Sequence, residues 1–600
     1  MAVVLGFARP MERRMRTTSH GAVISIDTPV APPYWALLER ELLRVQAAAI
    51  EEYFDHYFDA RGYLLCVPRW GGDDGPDDAA ENMLNWTMLY ALGAPDSVLE
   101  RYYRCWDGHL RQYTEARTIE VPLGRDGMYY KEFPVCFDWF HHGEGLSAFF
   151  LEGLANPFDR KLQQRTRRFA GFYMGEDPQA PNYDPEHRVI RSMFNGSRGP
   201  LLRKATALDW AGDPIEVEGR FQPLHRERNY TEMLEHFAEY TDVVGDNPLN
   251  LGATTLGFNA YALTGETRYR DWLLSYVDAW VERIGANDGI IPTNVGLDGT
   301  IGGAADGKWY GGVYGWGFTV HVPGSGALAH RNYLGPRILH GFANALLLTG
   351  DLGYIHPWRE MIERVNAHAK VVDGQTLYPH MHGDQGWYEY RPQKFTPAAQ
   401  ELYYWSLDRD VLALLPSKPR WIAYLDGEDA SYPVEALQAD LSAVGNRVAE
   451  MRCDPTTPDT RLSDDPNHLN PATTETLTQL MLGGLPTGRV GYPLHCRLRY
   501  FDPERRRAGI PEDVAALVEK LTADEVVVTL VNTSPLHARA VIVQGGAYAE
   551  HEIVDVQQGD VTTPVGQSHF LVQLGPGAGR QLRIRTKRYA HQPTLAFPWS

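Results

Sequence analysis

Over roughly the first 415 residues, apolar positions recur in steps of three and four, the period of helices with one buried stripe. From Asn229 the run NYTEMLEHFAEYTDVVG sets Met233, Phe237, Tyr240 and Val244 in steps of four, three and four, behind an Asn229/Glu232 pair spaced as a capping box. The following residues predict a helix, a turn at Gly265 and a second helix with Tyr269, Leu273, Tyr276, Val277, Trp280 and Ile284 on one stripe, closed by Gly285. This hairpin recurs: Leu348 to Asp351 repeats the turn and is followed by Tyr354 and Trp358, as Leu263 to Glu266 is followed by Tyr269 and Trp272. Weaker copies turn at Gly93 and Gly153. The turn glycines are irregularly spaced, which speaks against a solenoid and for a closed set of hairpins with long insertions. The expectation is a mainly α chain, an (α/α)6 toroid over residues 1–420.

Beyond that the pattern changes. A helical linker region, 421–487, holds helices near Pro433 to Met451 and Thr473 to Leu482. From about Gly488 short β-branched runs alternate, DEVVVTLVNTS, HARAVIVQGG, HEIVDVQ, SHFLVQLG and RQLRIRTKRY, and predict an antiparallel β-sandwich over 488–600. These strands carry no cluster of acids or histidines. They read as an accessory module, and the chemistry is expected among the helices.

Composition narrows the function. A net charge of -19 repels polyanions, which weighs against nucleic acid and acidic membrane surfaces as main partners, so neither is expected, while one acidic sugar in a local basic pocket remains compatible. No apolar run approaches the roughly 18–20 residues that span a bilayer, and the N-terminal apolar segment is too short for a signal-peptide core, which makes a cytoplasmic location the expectation. Five cysteines without a CxxC pair give neither a disulfide framework nor a cysteine zinc site, and no cofactor is expected. The 15 Trp and 32 Tyr offer flat faces that suit sugar rings.

The densest candidate chemistry is CFDWFHHGEGLSAFFLEGL, with Asp138, His141, His142 and Glu144 ahead of an apolar helical run. A helix beginning near Gly143 would leave them in its approach and first turn. Two carboxylates in different surroundings can divide acid and base roles, as cleavage of a glycosidic bond requires. The plainer reading makes Asp138 a cap, Glu144 a first-turn charge and the histidines partners of buried backbone. HHxE is not HExxH, and His380 and His382 in YPHMHGDQGWYEYRP could join the pair only in space, so no metal site is expected.

Three more constellations suggest a sugar cleft. A glycine-rich segment carries Trp309, Tyr310, Tyr314, Trp316 and Phe318, the last three alternating so that an extended backbone would align them on one face. HRVIRSMFNGSRGPLLRK holds Arg188, Arg191, Asn195, Arg198, Arg203 and Lys204, a basic interval able to receive a carboxylate or simply a solvated face. LHRERNY and GDNPLNLGAT add His225, Glu227, Arg228, Asp246, Asn247 and Asn250 near helix ends.

With DWFHHGEG, NGSRGP, RERNY, GDNPLNLGAT and WYGGVYGWGF set in helical hairpins ahead of a β-sandwich, the chain resembles the (α/α)6-toroid carbohydrate-active enzymes. Among them it is most similar to uronic-acid-directed glycosidases such as glycoside hydrolase family 154, the β-glucuronidases. The resemblance implies an acidic oligo- or polysaccharide substrate with a terminal uronic acid; related toroids include polysaccharide lyases that use Tyr and His. For hydrolysis the residues nominate Glu144 as general acid and Asp138 as partner carboxylate, with His141 or His142 orienting one of them. For β-elimination they nominate Tyr310, Tyr314, His142 or His380 as base and Arg191 or Arg228 as clamp. Hydrolysis is preferred, elimination comes second, and a non-catalytic saccharide-binding protein is the third class; a homodimer is compatible with each.

Overall fold

The computed structural model describes residues 21–71, 74–118, 121–214, 227–323 and 326–600. Helical hairpins form where the periodicity places them. Thr254–Thr264 and Thr267–Ala286 turn at Gly265 (φ +70°), Pro336–Thr349 turns at Gly350 (φ +72°) ahead of His356–Ala367, and Trp86–Leu92 turns at Gly93 (φ +128°) into Asp96–Glu115. Each turn uses the positive φ that only glycine adopts without strain. The expected turn at Gly153 is instead interior to the Ser147–Ala155 helix; a Cβ there would lie 2.6 Å from the Leu595 side chain, so this glycine serves packing. The Asn229-capped helix, with the Glu232 amide donating to Asn229 Oδ1 (3.1 Å), stops at Ala238 rather than continuing to Val244.

The first helix, Tyr34–Tyr57, packs along Tyr432–Met451, so the helical part of the chain closes on itself across some 400 positions. Arg452 pairs with Glu52 (2.6 Å), and the Tyr57 hydroxyl donates to Asp454 (2.8 Å) at that seam. Much of the aromatic content is core: Trp86, Trp106, Trp280, Trp316, Trp358 and Trp405 are fully buried. Among the described residues no helix is long and apolar enough to cross a membrane.

The later strands form two five-stranded sheets. One runs Val23–Ile26, His569–Leu574, Arg539–Gly545, Leu498–Asp502, Arg507–Ala508; the other runs Val514–Leu521, Glu525–Asn532, Gly579–Lys587, Glu552–Gln558, Val561–Gln567. Buried residues of both sheets join the same apolar cluster as the helices. Pairing is antiparallel except that Val23–Ile26 runs parallel to His569–Leu574. The expectation of a wholly antiparallel unit confined to 488–600 is corrected there, because a four-residue strand has no sequence signal separable from its distant partner. Buried arginines tie sheet to helix, Arg507 donating to the carbonyls of Tyr90 (3.2 Å) and Ala94 (2.6 Å).

Burial also sets a pH dependence. It pushes the carboxyls of Glu39 and Glu152 up to about 8, opposed at Glu39 by Arg40 and at Glu152 by the Tyr102 hydroxyl. Both groups then hold a proton in the folded state that the unfolded chain releases near its ordinary pKa. Their stabilising effect is full below that value and is lost as pH rises through about 8, at roughly 1.4 kcal/mol per pH unit per group where only the folded state is protonated. The melting temperature is expected to fall between pH 6.5 and 8, and Glu39→Gln with Glu152→Gln to flatten the slope. A melting temperature that climbs over this interval would contradict the assignment.

Candidate active site

The short helix Trp139–Gly145 begins one turn earlier than the sequence suggests, and Asp138 is its N-cap, accepting from the amides of Phe140 (2.9 Å) and His141 (3.0 Å). The same oxygen accepts from His141 Nδ1 (2.8 Å), and the other takes the Tyr314 hydroxyl (3.1 Å). Tyr314 reaches it from a left-handed backbone (φ +61°), an uncommon conformation for a non-glycine residue, with its ring stacked on Phe140. Asp138 is fully buried, which by itself would raise its pKa; the His141 charge and the N–H donors outweigh that and hold it below the usual carboxylate value. Burial opposes charge on His141 too, yet Asp138, Asp77 and Glu144 together raise it to about 10. The site therefore contains an imidazolium at neutral pH.

Glu144 lies one turn on, flanked by Gly143 and Gly145, and each glycine admits a neighbour. A Cβ on Gly145 would sit 3.3 Å from the Asp77 Cα, and one on Gly143 would sit 3.1 Å from Val490. The first close approach brings in the Pro76–Glu81 helix; the second brings in the loop that carries Arg489. In GPDDAAE, Asp77 and Glu81 are four apart and share one face. Atoms of Asp77, His141 and Glu144 lie within 4.8 Å of one another. Arg337 Nη2 binds Glu144 Oε1 (2.7 Å), with the guanidinium over the Phe140 ring (3.5 Å), and Arg489 pairs with Glu81, its Nε 2.9 Å from Oε1.

These carboxyls differ in character. Burial first, then the Glu144 charge, raises Asp77 to about 7, and burial and Glu144 do the same to Glu81 against the pull of Arg489. Asp77 Oδ1 is buried and has no hydrogen-bond partner among the described residues. Asp77 thus suits a proton donor and the ion-paired Glu144 a negative partner, the division of roles that adjacent carboxylates use. Asp77, His141 and Glu144 are also close enough to hold a divalent cation, but a cation there would have to displace the proton that three carboxyls hold on His141.

Of the residues nominated from sequence, the structure gathers Asp138, His141, Glu144 and Tyr314. His142 faces the other way: it is fully buried, its Nε2 is on the Asn195 carbonyl (2.7 Å), and burial lowers it to about 4. Asn195 accepts from Trp139 Nε1 (3.1 Å) and donates to Asn250 Oδ1 (3.2 Å), while Asn250 donates to Asp246 (2.8 Å); both are buried parts of a network that anchors loops. Arg191 faces Asp184 (3.7 Å), and Arg228 is exposed and paired with Glu232 of the helix that follows it. Trp309, Tyr310 and His382 pack together, with the Tyr310 hydroxyl on Asp384 (2.7 Å), and His380 Nε2 is on the Gln393 carbonyl (3.0 Å). Trp316 is fully buried, its Nε1 donating to the Ile291 carbonyl (2.9 Å). Tyr314, Trp316 and Phe318 do not line an extended strand: the chain turns at 314–317 and only Phe318–His321 is extended, so these rings enter the core. His225 lies outside the described residues.

Asp77, Glu81, Arg337 and Arg489 were not singled out from sequence. Proline at the first helical position and acids in the first turn are ordinary helix-start chemistry, so GPDDAAE carries no separate functional signal. The one usable hint is the GEG flanking of Glu144, glycines on both sides of a carboxylate inside a helix, where two backbones must approach.

A family model described as "Domain of unknown function (DUF8034)" matches residues 23–378 and 415–478, more than half of the chain. No curated protein matches. Among solved structures the chain is similar to cellobiose 2-epimerase from Spirochaeta thermophila DSM 6192, at 11% sequence identity and a TM-score of 0.32, covering 73% of this chain and 97% of that one. A likeness at that score leaves both fold and function to be read from this chain's own residues.

Proposed function

The chain belongs to the family described as Domain of unknown function (DUF8034), and for it we propose a carbohydrate-active enzyme that hydrolyses glycosidic bonds with Asp77 and Glu144. We read the closed set of helical hairpins as an (α/α)6 toroid and the two sheets as its accessory β-sandwich. The observation that carries the reading is the Asp77–Glu144 pair, two carboxyls within 4.8 Å whose surroundings differ: one pushed up to about 7, the other ion-paired with Arg337. In this assignment Asp77 protonates the leaving oxygen and Glu144 attacks the anomeric carbon. Sequence alone gave Glu144 the proton and Asp138 the partner role. Here both oxygens of Asp138 are occupied by donors, so it serves by positioning His141.

So short a separation falls on the side of double displacement with retention, where carboxyls stand about 5–5.5 Å apart, rather than the roughly 6.5–9.5 Å that leaves room for water. A terminal uronic acid, the substrate class the family resemblance implies, is supported by Arg489, a largely exposed guanidinium beside the acids. Elimination is the weaker reading. Burial raises the Tyr314 hydroxyl well above its ordinary value and it donates to Asp138, so it is poorly placed to remove a proton.

Incubation with a β-glucuronide-capped oligosaccharide tests this. The expected product is a saturated glucuronic acid released first as the β-anomer. An unsaturated uronate absorbing in the ultraviolet would establish elimination, and no turnover of any uronide would remove the substrate assignment.

A further inference from the structure

Behind the segment that leads into the catalytic helix lies a cavity of about 300 Å3 rimmed by Arg125, Arg198 and Arg203, with no acidic side chain among the described residues that line it and a floor of Leu123, Pro200 and Leu201. We propose that this cavity is a second saccharide subsite that takes a carboxylate-bearing sugar unit. The uronate identity rests on the function proposed above; the cationic cavity does not.

The three arginines are held differently. Arg203 is fixed by a two-point contact with Asp209 (2.7 and 3.1 Å), itself fully buried and locked by the Thr206 capping box, and its Nη1 also donates to the Lys204 carbonyl (3.0 Å), so its fork is preorganised while the side chain stays 42% exposed. Arg198 pairs with Asp126, both about half exposed, a contact of small worth that a ligand carboxylate can replace. Arg125 is exposed and has no ion-pair partner among the described residues. Asp126 and Asp209 pair with two of the three arginines, which leaves Arg125 as the cation without an ion pair among the described residues, in a chain whose total is -19. Such a combination, an apolar floor under a cationic rim, matches a pyranose that offers C–H groups on one face and a carboxylate at its edge.

Position favours a link to catalysis. Cys136 forms part of the wall, its thiol on the Gly199 carbonyl (3.5 Å), and stands two residues before Asp138, roughly 7 Å along an extended chain. The volume is at the lower bound of ligand pockets, enough for one sugar unit rather than a long glycan.

The test is calorimetric titration of the full chain carrying Glu144→Gln with a glucuronate–glucose disaccharide, its neutral glucose counterpart and inorganic sulfate. Two sites are expected for the acidic disaccharide, falling to one in the added double variant Arg125→Ala, Arg198→Ala, which leaves the Arg203–Asp209 pair intact and should melt at the parent temperature. If the catalytic assignment alone is mistaken, the count goes from one site to none in the same variant, and the proposed subsite stands. Unchanged stoichiometry and affinity in the double variant would overturn it, and so would sulfate or the neutral sugar binding there as tightly as the uronate.

Discussion

Glu144→Gln is expected to lower kcat on a β-glucuronide by about three orders of magnitude, with the dissociation constant for substrate changed only a few-fold. The amide matches the carboxylate in size and can still meet Arg337, which donates to Glu144 Oε1 at 2.7 Å, so the Trp139–Gly145 helix and its neighbours should stay in place. What is lost is the negative charge that would attack the anomeric carbon. Asp77→Asn should behave differently. It removes the proton held near neutral pH by burial and by the Glu144 charge, so a poor alkyl leaving group should suffer by about 10²–10⁴-fold, while an aryl leaving group that needs no proton should be largely spared. In the parent, the alkyl glucuronide rate should decline as pH rises through about 7, because the protonated form of Asp77 is the working one. Equal losses on both leaving groups in Asp77→Asn would withdraw the donor role, and a Glu144→Gln protein of near-parental kcat would withdraw the mechanism.

The second large effect is structural. Asp138 is buried, ionised and satisfied by two backbone amides, the His141 imidazolium and the Tyr314 hydroxyl. Asp138→Asn keeps the shape but removes the fully buried carboxylate that accepts from two amides and His141, and leaves the largely buried His141 cation without its nearest counter-charge. Breaking one partner of such a pair costs about 3–5 kcal/mol, several times what an exposed ion pair is worth. The variant should unfold at clearly lower denaturant. Its His141 pKa, followed by ring-proton NMR, should also drop from about 10, because the Asp138 charge, which does most to oppose burial, has gone. That second reading separates a positioning role from general loss of fold. A stability change under about 1 kcal/mol together with an unmoved His141 titration would show that the network is not what holds the site.

Legibility in the sequence followed the range of the interactions involved. Hairpins turning at Gly93, Gly265 and Gly350 and the Asn229 cap are written in a few consecutive residues, because periodicity and left-handed turns are local properties. The later strands at 525–532, 539–545, 552–558, 569–574 and 579–587 were legible for the same reason. Val23–Ile26 was not, since its partner is at the far end of the chain. Aromatics misled in part: Trp316 and Phe318 look like a stacking face when a flat backbone is assumed, but the turn at Tyr314 sends them into the core.

By itself the sequence determined that the chain is helical hairpins followed by strands, strongly acidic, with Asp138, His141 and Glu144 close together along one short segment. Only the tertiary structure decided that Asp138 caps the helix with both oxygens occupied, that His142 turns inward, and that Asp77, Glu81, Arg337 and Arg489 complete the cluster. A side chain's type and spacing along one helix are fixed by the chain order. Its pKa depends on which distant charges share its burial, and here those charges arrive because Gly143 and Gly145 let two remote backbones come within contact of Glu144's helix.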